Sequence, residues 1–353
     1  MKICFITPTM AIGGYERFLL NLMNGLIEDD IYIVAINAVG GYKDEFVKRG
    51  KIIDLKSNRT RESIIKLKNA LKSIDPEIVY VSFTSFVFVV IIKKILNLKY
   101  KIVVGEHLIT WPKNCIHKTI LKYCYKNSDS IIAVSKFTKE KLCENVGIKG
   151  ELVKIIYNPI IKEDKNKEMK KIEHRWIGTN YNIIILIGRL EKDKGFQYLI
   201  EAFSKIDNKE DKRILILGEG SYRERLYEIV KAKNLTEYIE FIGFVNDPNL
   251  YLKWADNIFI LSDYETFGNI AVEALYNECN IITYKGIGGP EEILNNGEFG
   301  VIMKDRNISS IVDELNKLEY KKSDKRLRQR AMEFTQEKSI DEYKYIFASL
   351  IND

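Results

Sequence analysis

The chain has 353 residues, 46% of them hydrophobic, 29% charged and 11% aromatic, with 6 prolines and 21 glycines. That excludes a largely disordered chain and a collagen-like or low-complexity one, and the length suits two domains better than one or three. The net charge of +6 is unevenly placed: residues 1–158 carry 25 Lys and Arg against 15 Asp and Glu, and the remainder 30 against 34. The basic first half is either lysine-rich solvated helix surface or the side that meets an anionic partner.

Short β-rich runs alternate with amphipathic stretches in chain order. Strands are predicted at Lys2–Ile6, Ile31–Ile36, Lys51–Leu55, Glu77–Ser82, Lys101–Val104 and Ser130–Val134. A second series covers Asn182–Ile187, Arg213–Leu217, Ile239–Ile242, Asn257–Leu261 and Asn280–Thr283. Their apolar runs are continuous, as in strands covered on both faces. Helical patterns fill the gaps, among them Glu16–Leu26, Ile64–Ser73, Phe137–Asn145, Phe196–Lys205, Tyr222–Lys233 and a terminal Glu337–Leu350. Such alternation implies an α/β fold with parallel sheets and right-handed crossovers, arranged as two Rossmann-like halves. The charged stretch 162–180 after Asn158-Pro159 marks the boundary. The expected division is 1–160, a linker 161–180, 181–335, and a C-terminal helix 336–353 that crosses back to brace the first domain.

No apolar run approaches the ~18 residues needed to span a bilayer. The longest, Phe86–Ile92, ends at Lys93-Lys94. The N-terminus suits a first buried strand better than a signal peptide. Five cysteines without a C-x-x-C, and only three histidines, point away from zinc and from a disulfide framework, and towards a reducing cytoplasm.

Four motifs carry possible chemistry. Gly13-Gly14 precede an apolar helix with Phe18, Leu19, Leu22 and Leu26 on its core face; a glycine turn there admits an anion to the helix N-terminus, or simply makes room for the turn. Arg189 and Lys194, in I-G-R-L-E-K-D-K-G-F, sit at the carboxyl edge of a strand, where two cations can clamp a diphosphate. S-D-Y-E-T-F-G-N-I-A-V-E-A-L carries Glu265 in a loop, a helix start at Gly268-Asn269 with Asn269 as cap, and Glu273 in the first turn. The two carboxylates therefore do not share one helical face. Together they can accept from hydroxyls while the helix end faces phosphate, which suits a sugar nucleotide. His107, in Gly105-Glu106-His107, ends a strand of the first half, whereas His117 and His174 are expected at the surface.

These motifs, with Gly288-Gly289-Pro290 leading into Glu292-Ile293-Leu294 and an Asn158-Pro159-Ile160 hinge, together resemble the retaining GT-B glycosyltransferases of family four, over nearly the whole chain. The resemblance implies two Rossmann-like domains facing across a cleft, with the nucleotide-diphosphate sugar on the C-terminal domain and the acceptor on the N-terminal one. By the same resemblance Arg189 and Lys194 hold the diphosphate, and Gly14 approaches it with its backbone. Glu273 accepts from the ribose, and Glu265 with the backbone of Phe267, Gly268 and Asn269 grips the transferred sugar. The base lies near Phe244-Val245, and His107 borders the anomeric carbon.

No cofactor and no metal are expected, because no Asp-x-Asp occurs and cations occupy the loop. The expected mechanism is retention in which the leaving diphosphate takes the acceptor's proton. The donor is expected to be UDP-linked, carrying a hexose or N-acetylhexosamine, and the acceptor a glycan or lipid-linked saccharide of surface polysaccharide synthesis. Nucleic acid is not expected as a partner. A non-hydrolysing epimerase and a non-catalytic sugar-nucleotide-binding subunit are the alternatives. Trp111–Asn127, with Lys113, Lys118, Lys122 and Lys126 beside Trp111, Ile116, Ile120 and Tyr123, is the candidate for an anionic membrane surface on the cytoplasmic side. Phe86–Ile92 is expected in the core.

Overall fold

The computed structural model describes residues 1–82, 85–107, 114–162, 172–320 and 323–352. The chain divides into two compact units, Met1–Lys162 with Thr335–Asp353, and Glu163–Phe334.

The first unit holds strands β1 (Lys2–Thr7), β2 (Asp30–Ala35), β3 (Lys51–Asp54), β4 (Ile78–Val81), β5 (Lys101–Glu106), β6 (Ser130–Ala133) and β7 (Val153–Ile155). They form one parallel sheet in the order β3-β2-β1-β4-β5-β6-β7. The crossover helices are α1 (Gly14–Asn24), α2 (Lys43–Val47), α3 (Ile64–Ile74), α4 (Ser85–Leu96), α5 (Cys115–Lys126) and α6 (Lys136–Val146). Both faces of the sheet are covered, which is why β4 is buried at every position and why its sequence, IVYV, does not alternate.

The second unit repeats the plan with β8 (Asn182–Ile187), β9 (Lys212–Leu217), β10 (Ile239–Gly243), β11 (Asn257–Phe259), β12 (Asn280–Tyr284) and β13 (Val301–Met303), in the parallel order β10-β9-β8-β11-β12-β13. Its helices are α7 (Phe196–Lys205), α8 (Arg223–Ala232), α9 (Asn249–Leu252), α10 (Asn269–Tyr276), α11 (Gly289–Ile293), α12 (Ile308–Lys317) and α13 (Lys325–Ala331). Asparagine opens β8, β11 and β12, and the three amides bond across the sheet: Asn257 donates to Asn182 at 2.8 Å and Asn280 donates to Asn257 at 3.2 Å. This polar ladder pins the register where the apolar runs alone would permit a slip.

The last helix, α14 (Gln336–Asn352), belongs to the first unit. Its Ile340, Tyr343, Ile346 and Phe347 are buried in one cluster with Phe18, Leu19 and Leu22 of α1. Each such side chain contributes about 1.5–3 kcal/mol on burial. Gly25, just past α1, makes the contact possible, since a Cβ there would stand 2.4 Å from Ile340 Cγ2.

The expected linker 161–180 differs from the structure over its described part. Trp176 is buried, and the Arg175 guanidinium stacks on it at 4.5 Å while bonding Glu240. His174, expected at the surface, is only 10% exposed, with Nε2 3.5 Å from Glu240. An indole and its cation cover the end of the second sheet here, so a stretch that reads as charged linker packs as part of the unit. Residues 163–171 of that linker lie outside the described residues.

Candidate active site

In each sheet the strand order reverses once, and loops at the carboxyl ends of the two strands flanking the reversal make the natural ligand site. In the second unit the reversal lies between β8 and β11. Arg189 and Lys194 follow β8, and Glu265 follows β11.

Lys194 and Glu265, 71 residues apart, form an ion pair with Nζ 2.7 Å from Oε1. Ser262 Oγ donates to the same Oε1 at 2.7 Å. Among the described residues these two bonds both fall on Oε1, so Oε2 is open to a ligand hydroxyl. The glycine of the Lys194-Gly195-Phe196 motif has a steric reason. Gly195 has φ +74°, and a Cβ on it would stand 2.0 Å from the Leu261 carbonyl oxygen. The loop after β8 is therefore pressed against the end of β11, which brings the amine to the carboxylate.

The loop carrying Glu265 is held on every side. Asp263 donates its backbone N–H to Asp193 O at 2.7 Å, Glu265 donates to Ile287 O at 2.8 Å, and Gly289 donates to Glu265 O at 2.9 Å. Arg306 donates to the Leu261 carbonyl at 2.6 Å and pairs with Asp263 at 2.7 Å. Its guanidinium stacks over Tyr198 at 4.4 Å. Tyr284 donates to Ser262 O at 2.6 Å. Sequence reasoning missed Arg306, Ser262 and Tyr284. An arginine 41 residues beyond Glu265 carries no local signal that it reaches back.

Gly268, with φ 94°, is the N-cap of α10, and Asn269 is its first helical residue. This corrects the sequence reading of Asn269 as cap. Glu273 is the fifth residue of the helix, past its first turn, and is 3% exposed. Phe267 is buried against Phe334, with ring centroids 5.7 Å apart. Arg330 of α13 donates to the carbonyls of Glu292 and Ile293 at 2.8 and 2.9 Å. It thus ties down α11, whose Pro290 lies beneath Gly268. The α10 N-terminus, with its peptide N–H groups, is thereby fixed next to the Glu265 loop.

Arg189 is exposed, and its guanidinium makes no hydrogen bond or ion pair among the described residues, although its carbonyl accepts from the Glu191 N–H at 2.8 Å. Phe244, 42% exposed, and Val245 follow β10, two strands from β8. Neither is in contact with the Lys194–Glu265 pair by any hydrogen bond, and the structure groups them only by sheet edge.

In the first unit the reversal lies between β1 and β4. Gly14 opens α1 just after β1, behind an extended Gly13 with φ −163°. His107 follows β5, with Nε2 3.2 Å from the Tyr80 hydroxyl. Its ring lies 4.5 Å from Phe18 and 4.9 Å from Tyr15. Burial among these rings pulls its pKa down to about 3, so the imidazole is neutral at physiological pH.

Comparison with known proteins fits this architecture. Residues 166–337 match the family described as Glycosyl transferases group 1, and residues 12–163 match Glycosyltransferase Family 4. The N-acetylgalactosamine-N,N'-diacetylbacillosaminyl-diphospho-undecaprenol 4-alpha-N-acetylgalactosaminyltransferase of Campylobacter jejuni is 26% identical over 335 residues, covering 89% of each chain. A glycosyltransferase from Rickettsia africae superposes with a TM-score of 0.83 at 20% identity, over 99% of this chain and 98% of its own. Anabaena HepE, in complex with UDP and glucose, gives 0.79 at 18% identity, over 99% and 100%. The likeness spans both units, and the chain belongs to the GT-B glycosyltransferases, in the family that these two descriptions cover between them.

Proposed function

We propose that the protein moves a hexose or N-acetylhexosamine from a UDP-linked donor to a lipid-linked saccharide, with retention and without a metal. The observation that carries this reading is the 2.7 Å Lys194–Glu265 contact at the reversal point of the second sheet. It sets a cation for the diphosphate beside a carboxylate for sugar hydroxyls, next to a helix N-terminus. The Campylobacter relative is named for transfer to a diphospho-undecaprenol saccharide, and HepE has been solved with UDP-glucose. Both support the choice of donor and acceptor class.

In this reading Lys194 and Arg189 neutralise the leaving diphosphate, with the Phe267-Gly268-Asn269 backbone on the transferred sugar. Glu265 orients the sugar through Oε2, Glu273 takes the ribose, and the base rests near Phe244-Val245. The diphosphate accepts the acceptor's proton as the new bond forms on the same face, so catalysis is positioning and charge stabilisation.

A cytoplasmic enzyme resting on the membrane face is part of the proposal. Ile116, Ile120 and Tyr123 of α5 are 65%, 42% and 50% exposed, and Ile95 of α4 is 77% exposed. Lys94 lies 4.9 Å over the Tyr123 ring, and Lys118, Lys122 and Lys126 share α5. Phe86, Val89, Val90 and Ile92 of α4 are core residues. No described helix is long and apolar enough to cross a membrane. Trp111 and Lys113 lie outside the described residues.

The test incubates the full chain with UDP-glucose, UDP-galactose and their N-acetylamino counterparts, a polyprenyl-diphosphate saccharide, and EDTA. The expected product is one sugar longer, with the donor's anomeric configuration, at an undiminished rate. Inversion, transfer restored only by magnesium or manganese, or no transfer from any of the four donors would each overturn the corresponding part.

A further inference from the structure

The resemblance to family four sets His107 beside the anomeric carbon but leaves open what it does there. Tyr80 of β4 is fully buried, ringed by Phe5 at 5.5 Å, Phe18 at 6.1 Å and Tyr343 of α14 at 6.0 Å. Its hydroxyl reaches His107 through the space beside Gly105. A Cβ on Gly105 would stand 1.7 Å from that oxygen, so any side chain there would drive Tyr80 off the imidazole. The glycine of Gly105-Glu106-His107 thus makes room for the Tyr80 hydroxyl beside His107. Ser82, which donates to the Gly105 carbonyl at 2.5 Å, holds the strand in place behind it.

We propose that Tyr80 is a positioning residue for His107: its O–H donates to Nε2 and fixes the neutral imidazole with its proton on Nδ1, so that His107 meets substrate as a hydrogen-bond donor and not as a base. The inference rests on the assignment of His107 to the reaction centre.

Three observations support the direction of that bond. The phenol is the stronger acid of the pair and the imidazole nitrogen the stronger base, so O–H···N is favoured over N–H···O. Burial keeps the imidazole neutral and raises the phenols of both Tyr80 and Tyr343, so none of the three ionises near neutral pH. The partner of one ring nitrogen decides which nitrogen carries the proton, and here the partner is locked by three aromatic rings and a glycine. A donor is also what the proposed reaction needs from this side. When the leaving diphosphate takes the acceptor's proton, a protein base has no task, whereas an N–H aimed at an oxygen gaining charge does.

The chain has only three imidazoles, His107, His117 and His174, so a long-range nitrogen–proton correlation spectrum of the labelled full chain resolves the question. His107 is assigned by the signal lost in His107→Gln. The expected result is Nδ1–H for the wild type, with the proton redistributed towards Nε2 in Tyr80→Phe. That variant should also lose about tenfold in kcat at little change in donor KM. A wild type protonated on Nε2, or a Tyr80→Phe spectrum like the wild type's, overturns the inference. Should Tyr80→Phe not fold, the wild-type spectrum alone decides. Full transfer by His107→Gln would overturn the assignment beneath it, and does so independently of the spectrum.

Discussion

Beside the reversal between β1 and β4 the first unit surrounds His107 with neutral rings, Tyr15, Phe18 and Tyr80, and burial depresses the imidazole's pKa. At the reversal between β8 and β11 the second unit gathers ions: Lys194 on Glu265, Arg306 on Asp263, and an exposed Arg189. The folding plan is the same and the chemistry is opposite. The net charge of the two halves runs the other way, since the first half is the basic one. Its lysines lie on outer helices such as α5, away from the reversal point. Whole-domain charge therefore says little about a site, and the few side chains at the reversal say most.

The largest expected effect falls on the ionic centre. Lys194→Ala removes the cation proposed to hold the diphosphate and leaves Glu265 with Ser262, and should lower kcat/KM by an amount equivalent to about 2–4 kcal/mol of transition-state stabilisation. Steady-state kinetics with the donor varied checks this, and a loss under tenfold would break the contrast between the units.

The neutral centre should show itself in stability against pH. The folded pKa of His107 lies below its unfolded value, so between about 3 and about 6.5 the unfolded chain binds the extra proton. Stability from this group is complete above pH 6.5 and falls by about 1.4 kcal/mol per pH unit below it. Urea unfolding of wild type against His107→Gln from pH 7 to 5 isolates the slope from that of the carboxylates. Parallel curves would mean that His107 is charged or solvated.

A smaller effect should come from Arg306→Lys, which keeps the charge but loses the two-pronged grip on Leu261 O and Asp263. A cost of about 1 kcal/mol, expressed in donor KM, is expected. An unchanged KM would show that the Glu265 loop holds without it. The smallest is expected at α5. Reversing Lys118, Lys122 and Lys126 to Glu should release the protein from anionic vesicles at low salt, at ~1 kcal/mol per lysine, with transfer to a soluble acceptor analogue untouched. Binding that survives the reversal would remove the membrane from the account.

Much of this was legible in the residues, for identifiable reasons. Continuous apolar runs such as IIILI in β8 and LIL in β9 read as strands covered on both faces; the observed bounds of β8 are those expected, and β9 starts one residue earlier. The edge strands β7 and β13 were not recognised, because three residues apiece make no pattern. Phe18, Leu19, Leu22 and Leu26 are buried as their spacing required. What stayed hidden is pairing at a distance. Nothing local says that Lys194 touches Glu265 or that Arg306 reaches the Leu261 carbonyl. Tyr80 within IVYV reads as one more core aromatic, and only the void at Gly105 reveals that its hydroxyl has a partner.

The central claim is that the second unit's reversal point is the donor site, with Glu273 on the nucleotide and Glu265 on the sugar. Titration calorimetry of UDP into the full-length wild type, Glu265→Ala and Glu273→Ala tests it most directly. Glu273→Ala should weaken UDP by about tenfold or more, consistent with a lost charged hydrogen bond, and Glu265→Ala should bind UDP as the wild type does while failing in transfer. Equal losses in both variants, or full UDP affinity in Glu273→Ala, would contradict it.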